Sequence, residues 1–297
     1  MSVSSVHSGS ASTNILGSSS FRGPTSSTVS HTQDVFAAVL EQVGRKGYAS
    51  AESVDGSSIS SESIAGTWDQ WFQEFCSTRY SFIAGSDSPS VREGKTATDL
   101  RDDYKKILTN AYNDGAYADP QSYVKKLSSE DLSAIQQVHH LADPIQPSSL
   151  SAEASLNLLL PPDAQVDENR DGLTSVGAAT TFRFPDSNTP SEVREAWEAT
   201  TQGLSDEDRM LYQLQIGSQL FLANMHFDEN GEYLGSSEPG DADWVNPQAS
   251  PDFSYRRQAT KWLDYLDQFS SQMAPEQFQR DHAFWSNFRN NLSLFGA

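Results

Sequence analysis

From Thr98 to the C-terminus, apolar residues recur every third or fourth position in one segment after another, and most segments open on a capping residue or stop at proline or glycine. A chain patterned this way must form amphipathic helices that bury their stripes on one another. Leu100, Tyr104, Ile107, Leu108, Ala111 and Tyr112 predict a helix closing near Gly115. Asp119-Pro120 opens a brief second helix. Ser128 with Asp131 forms the capping box of a third, which carries Leu132, Ile135, Val138 and His139. Residues 150–160 give a fourth, short and apolar, stopped by Pro161 and Pro162.

The second half repeats the pattern. Residues 179–185 read as extended. Thr189-Pro190-Ser191-Glu192 is a capping-box signature for a helix through Val193 and Trp197, and Ser205 with Asp208 caps the next. Met210, Leu211, Leu214, Leu220, Phe221 and Leu222 predict that this second helix is buried in the core. Asn230-Gly231 between short apolar runs predicts a type I′ β-hairpin. Residues 238–252, rich in Pro, Gly and Asp, form a surface loop that Trp244 would pin to the core. The chain ends in a helical hairpin. Trp262 lies on its first helix, and Phe278, Trp285, Leu292, Phe288 and Phe295 at heptad intervals on its second, a seam that reads as core with a dimer contact as the alternative.

Between the halves lies the densest set of oxygen ligands. Asp167, Asn169, Asp171, Gly172 and Ser175 fall at positions one, three, five, six and nine of a twelve-residue loop, with the Leu173 carbonyl at seven. This stretch resembles the calcium-binding loops of EF-hand and dockerin proteins, which implies Ca2+ held by Asp167, Asn169, Asp171, Leu173 and Ser175. The spacing suits a hard cation because alternate side chains of a tightly curling loop point inward and glycine allows the turn. Position twelve is Ala178, where the family has a bidentate acid, and Pro161-Pro162 interrupt the entering helix. The other reading is an Asp/Asn/Gly turn whose side chains bond their own backbone.

Upstream, twelve of the first thirty residues are serine, too polar to offset the entropy of ordering, so residues 1–31 are expected to be a disordered tail. Val35, Phe36, Val39, Leu40 and Val43 then predict a tethered amphipathic helix within 32–47, followed by a linker over 48–66. Trp68, Trp71, Phe72, Phe75 and Tyr80 predict an aromatic helical face over 67–78. Cys76, the single cysteine, excludes an internal disulfide and reads as a small buried hydrophobe.

The formal charge is −20, from 20 basic and 40 acidic residues, and such a field repels phosphate backbones and anionic headgroups. Nucleic acid is therefore not an expected partner, nor is membrane insertion, and the start lacks the basic and apolar stretches of a secretory signal. Phosphate loops, H-E-x-x-H, G-x-S-x-G and G-x-G-x-x-G do not occur. His139, His140 and Asp143 come nearest to a metal or acid–base cluster, and incidental helix residues explain them as well.

The resulting expectation is a mainly α chain, a helical bundle or two helical layers with one small β-hairpin, its body spanning 67–297 in two halves divided near 161–178. The expected function is that of a non-enzymatic interaction or structural protein with a protein partner, stabilised by Ca2+ if the loop binds it, and cytoplasmic. A calcium- or carboxylate-dependent hydrolase and a cargo of a flagellar or injectisome-type export system are the alternatives.

Overall fold

The computed structural model describes residues 26–48, 58–75 and 96–297; the serine-rich start, Cys76, Tyr80 and the rest of the stretch 76–95 lie outside the described residues. The fold is mainly α, as the periodicity requires. Helices α1 (Ser26–Gln42), α2 (Ser61–Phe75), α3 (Ala97–Asn113), α4 (Pro120–Val124), α5 (Ser129–Val138) and α6 (Ala152–Asn157) build the first half. One correction concerns two helix starts: α1 begins at Ser26, inside the expected tail, and α2 at Ser61, inside the expected linker. Thr28 and Thr32 explain the first. Both are buried, and Thr32 Oγ1 donates to the Thr28 carbonyl at 2.9 Å, so small polar residues carry the helix back from its apolar stripe. That stripe, Val35, Phe36, Val39 and Leu40, belongs to one core with Ile64, Trp68 and Trp71 of α2 and with Leu100, Tyr104 and Leu108 of α3.

Pro161-Pro162 ends the apolar run after α6 and leaves the Leu158, Leu159 and Leu160 carbonyls inside the core without helical N–H partners. Two tyrosines answer this. The Tyr104 hydroxyl lies 3.1 Å from the Leu158 carbonyl and 2.9 Å from that of Leu160, and Tyr117 donates to Leu159 at 3.2 Å. His139, at the C-cap of α5, adds Nε2 at 3.2 Å from the Leu158 carbonyl. The capping signatures at Asp119 and Ser128 hold as read.

Strands β1 (Thr174–Val176) and β2 (Ala179–Thr181) pair antiparallel, Ser175 opposite Thr180, and make a second small sheet beside the expected hairpin. Helices α7 (Ser191–Thr201), α8 (Asp206–Ala223), α9 (Tyr255–Phe269) and α10 (Pro275–Phe295) form the second half. Their core is aromatic. Trp197 meets Phe284 and Phe288 edge-on at 5.8 Å, Tyr212 stacks on Phe284 at 3.5 Å, and Trp262 stacks on Trp285 at 5.4 Å, so the terminal seam is joined to α7 and α8 within the chain. Residue 189 departs from the capping box: Pro190 is the N-cap of α7, and Thr189 instead donates to Asp186 Oδ1 at 2.6 Å, because that buried carboxylate needs the donor.

Strands β3 (Met225–Phe227) and β4 (Tyr233–Ser236) form the hairpin, but its turn is not type I′. Gly231 has φ +83° and Asn230 is not left-handed; the Asp228 carboxylate takes the Asn230 and Glu232 N–H groups at 2.8 Å each. A side chain that caps the turn removes the need for two successive left-handed residues.

Two glycines test the packing with opposite signs. A Cβ on Gly47 would lie 2.5 Å from the Ala37 Cα, whereas one on Gly66, inside α2, would meet nothing within 4 Å. Gly47→Ala is expected to lower stability by about 2 to 3 kcal/mol through a forced backbone shift. Gly66→Ala is expected to raise it by about 0.5 to 1 kcal/mol through helix propensity. Urea midpoints of the two variants decide this, and equal midpoints would refute the close approach of residues 37 and 47.

Candidate functional site

The loop from Asp167 to Ser175 leaves the first core after Val166 and returns to it at Val176, and along its length it meets residues of the second half. Asp167 is 2 % exposed. Its N–H donates to Ser187 Oγ at 3.0 Å, its carbonyl accepts from Asn188 Nδ2 at 2.8 Å, and its Oδ2 accepts the Gly172 N–H at 3.0 Å. Its Oδ1 is buried with no hydrogen-bond partner. Asn169 and Asp171 turn back on the loop: Asn169 Oδ1 accepts the Asp171 N–H at 2.9 Å and Asp171 Oδ1 the Leu173 N–H at 2.8 Å. The Asn169 amide also donates to Asp171 Oδ2 at 2.8 Å. Gly172, at φ +89°, is required twice over, since a Cβ there would stand 3.0 Å from both Leu220 and Asn246.

The structure thus gathers Asp167, Asn169 and Asp171 on one turn, while Leu173 is buried and Ser175 sits in β1. The turn reading and the cation reading share this geometry, because folding each side chain over the loop satisfies backbone donors and also concentrates oxygen. Among the described residues, no three or more His, Cys, Asp or Glu side chains are placed to hold a metal ion. A cation here would draw on two aspartates, the Asn169 and Leu173 carbonyls and water. The orphaned Asp167 oxygen is the feature that fits one.

Glu153 of α6 was not anticipated. It is 5 % exposed, and its carboxylate accepts three backbone N–H groups of the loop: Glu168 at 2.9 Å and Asn169 at 3.2 Å on Oε2, and Ser175 at 2.8 Å on Oε1. The signal in the sequence was a lone acid within the apolar run 150–160. Burial pushes the Asp167 carboxyl up to about 7, and the charges of Asp186, Glu153 and Asp171 push the same way against the Gly172 hydrogen bond. Burial likewise raises Glu153 and Asp186 against the hydrogen bonds they accept.

Other contacts fasten the loop to both halves. Trp244 Nε1 donates to the Asp171 carbonyl at 2.9 Å and Asn246 Nδ2 to that of Arg170 at 3.1 Å, while Arg45 pairs with Glu168. Trp244 therefore pins residues 238–252 to the loop and not to a hydrophobic core. Beside it, a cavity of about 10 Å³, room for about one water, is bordered by Asp186, Asn188, Gln248 and Tyr255. A larger cleft of about 420 Å³ between α1 and α2 is bordered by His31, Val35, Ile59, Thr67 and Gln70. The histidine cluster is not brought together: the His139 ring is bonded to Tyr104, Leu158 and Gln165, and Asp143 is exposed.

A second candidate is a surface. Helix α8 buries Tyr212, Ile216 and Leu220, but Met210, Leu214, Phe221 and Leu222 are between 43 % and 59 % exposed, so the expectation of a helix buried all round is corrected. At 100° per residue the two sets occupy opposite faces. The outer stripe runs on through Met225 into the hairpin, where Phe227, Tyr233 and Leu234 are 53–69 % exposed and the Phe227 and Tyr233 rings meet at 5.9 Å. No helix among the described residues is long and apolar enough to cross a membrane. Comparison with protein-family models, curated proteins and solved structures gives no match to this chain.

Proposed function

We propose that this chain is a non-enzymatic interaction protein: a helical scaffold that docks a protein partner on the outer face of α8 and the following hairpin, with a calcium-stabilised loop clamping its halves. The observation that carries it is the concentration of exposed apolar side chains. Of the twelve large hydrophobics that stand exposed among the described residues, ten lie between Met210 and Val245. Single exposed apolar residues are ordinary on a protein surface, but a concentration of them on one helix face and the hairpin that follows marks an interaction site. The test is selection of displayed helical peptides of varied charge on the full chain. Binders that a Leu214→Gln/Leu222→Gln chain no longer holds support the reading. Binders indifferent to those substitutions, or none at all, refute it.

The clamp is supported by the unpartnered Asp167 oxygen and by Glu153, which brings to the loop's ends an acid that Ala178 does not. Chelator-treated protein titrated with calcium is expected to gain about 3 kcal/mol at a hundredfold excess over Kd, a rise in Tm on the order of 5 °C. Asp167→Asn and Asp171→Asn should each remove most of that gain. Scanning calorimetry decides it: no shift at millimolar calcium leaves the loop a plain turn.

A further inference from the structure

Resting on the interaction reading just given, the geometry points to a partner of one chemistry for the α8–hairpin face, a positively charged amphipathic helix from another protein. The apolar stripe supplies the anchor. Met210, Leu214, Phe221 and Met225 recur at helical spacing along α8 and its exit, which at 1.5 Å per residue offers a seam of about 22 Å, the length of a partner helix of about four turns. Apolar residues at i, i+4, i+11 and i+15 of such a helix would match it.

Charge selects among possible occupants. Between Asp206 and Asp243 the sequence carries nine carboxylates against the single Arg209, and that arginine lies 3.8 Å from Glu198 of α7. The acids gather at the two ends of the stripe: Asp206, Glu207 and Asp208 form the first turn of α8, and Asp228, Glu229 and Glu232 surround the hairpin turn. Burial of the apolar strip between these ends brings the carboxylates over the flanks of whatever lies on it. Lysines and arginines there gain, and acids lose, so the rim sets specificity and association rate while the strip supplies affinity. A second copy of this chain would set two acidic rims against each other, and an anionic lipid surface would be repelled. The hairpin adds a reason for a helix over a strand: its Phe227 and Tyr233 side chains already pair across it, an exposed aromatic pair that follows the α8 stripe in the chain.

The experiment uses the full chain and a yeast-displayed library of eighteen-residue helical peptides. Four seam positions vary among Leu, Met, Phe and Ser, and eight flanking positions among Lys, Glu and Gln. The expected result is enrichment of apolar seams with lysine-rich flanks. A synthetic copy of an enriched peptide should lose at least tenfold in affinity against Leu214→Gln/Leu222→Gln. It should lose several-fold against Glu207→Gln/Glu229→Gln/Glu232→Gln, and several-fold again between 50 and 500 mM salt. Enriched flanks that are neutral or acidic yet still depend on Leu214 and Leu222 would overturn the cationic partner and leave the interaction reading standing. So would sedimentation of a dimer that the leucine substitutions dissolve, or capture of phosphatidylcholine vesicles through the same leucines. Absence of any binder that depends on these leucines would remove both. The substituted side chains are exposed, so circular dichroism of each variant should match that of the starting protein, and its thermal transition separates a lost surface from a lost fold.

Discussion

Replacing Glu153 with alanine is expected to cost about 4 kcal/mol, enough to open the central loop at room temperature. The carboxylate accepts three backbone N–H groups, from Glu168, Asn169 and Ser175, in a place from which water is nearly excluded. Each buried donor left without an acceptor costs about 1 to 3 kcal/mol, and removing a buried charge returns part of that sum. Glu153→Gln should fall between. Its one amide oxygen can serve Ser175 or the Glu168–Asn169 pair but not both, and its NH₂ group faces donors on the other side, so a loss of about 2 kcal/mol is expected. Urea denaturation gives the energies, and limited proteolysis gives the location: new cleavage in Glu153→Ala should fall within 163–175. An alanine variant within 1 kcal/mol of the starting protein would mean that the N–H groups have found other acceptors and that Glu153 is not the keystone of the loop.

Acidification from pH 6.5 to 4 is expected to cost the starting protein roughly 3 kcal/mol more than it costs His139→Gln. The His139 ring is held between Tyr104, the Leu158 carbonyl and Gln165. Nε2 faces a carbonyl and so carries the proton. Nδ1 lies 2.9 Å from the Gln165 Nε2 amide and must accept. Flipping Gln165 to welcome a second proton is opposed because its Oε1 is engaged by Arg183. Burial, chiefly, lowers the ring's pKa to about 3, with Arg183 contributing in the same direction. The unfolded chain binds this proton below about 6.5 and the folded chain does not. The stabilising contribution is therefore whole above pH 6.5 and is lost, at about 1.4 kcal/mol per pH unit, as pH falls toward the folded value. Stability of the two proteins measured across that range should fall more steeply for the starting protein; parallel curves would show that the ring takes its proton in the native state.

Much of the first half is legible in the sequence because its signals are local. Ser128 with Asp131 and Asp119-Pro120 act over a turn of chain, and the structure keeps both, while the helix expected over 150–160 is shorter and closes at Asn157 ahead of Pro161-Pro162. The departures share a different origin. Thr189 forsakes its helix for Asp186, and the hairpin turn is set by the Asp228 side chain; in both, a carboxylate overrides the local signature. The apolar content of α8 is plain, but a count of apolar residues does not tell a helix buried on every side from one apolar toward both core and water. Asp167, Asn169 and Asp171 are found by spacing. Glu153 is not, since its tie to the loop spans the turn after α6 and is closed only by tertiary packing.

The contact between Trp244 and the Asp171 carbonyl makes the protein its own optical gauge. Of six indoles, those of Trp68, Trp71, Trp197 and Trp285 are sealed in the two cores; Trp262 and Trp244 are half-buried, the first stacked on Trp285 and the second tied to the junction. A collisional quencher such as acrylamide should reach Trp244 and Trp262 before the four sealed indoles, and a Trp262→Phe chain leaves Trp244 as the one it reaches. In that chain the red-edge emission of Trp244 follows the loop's opening and closing in real time, with no dye attached.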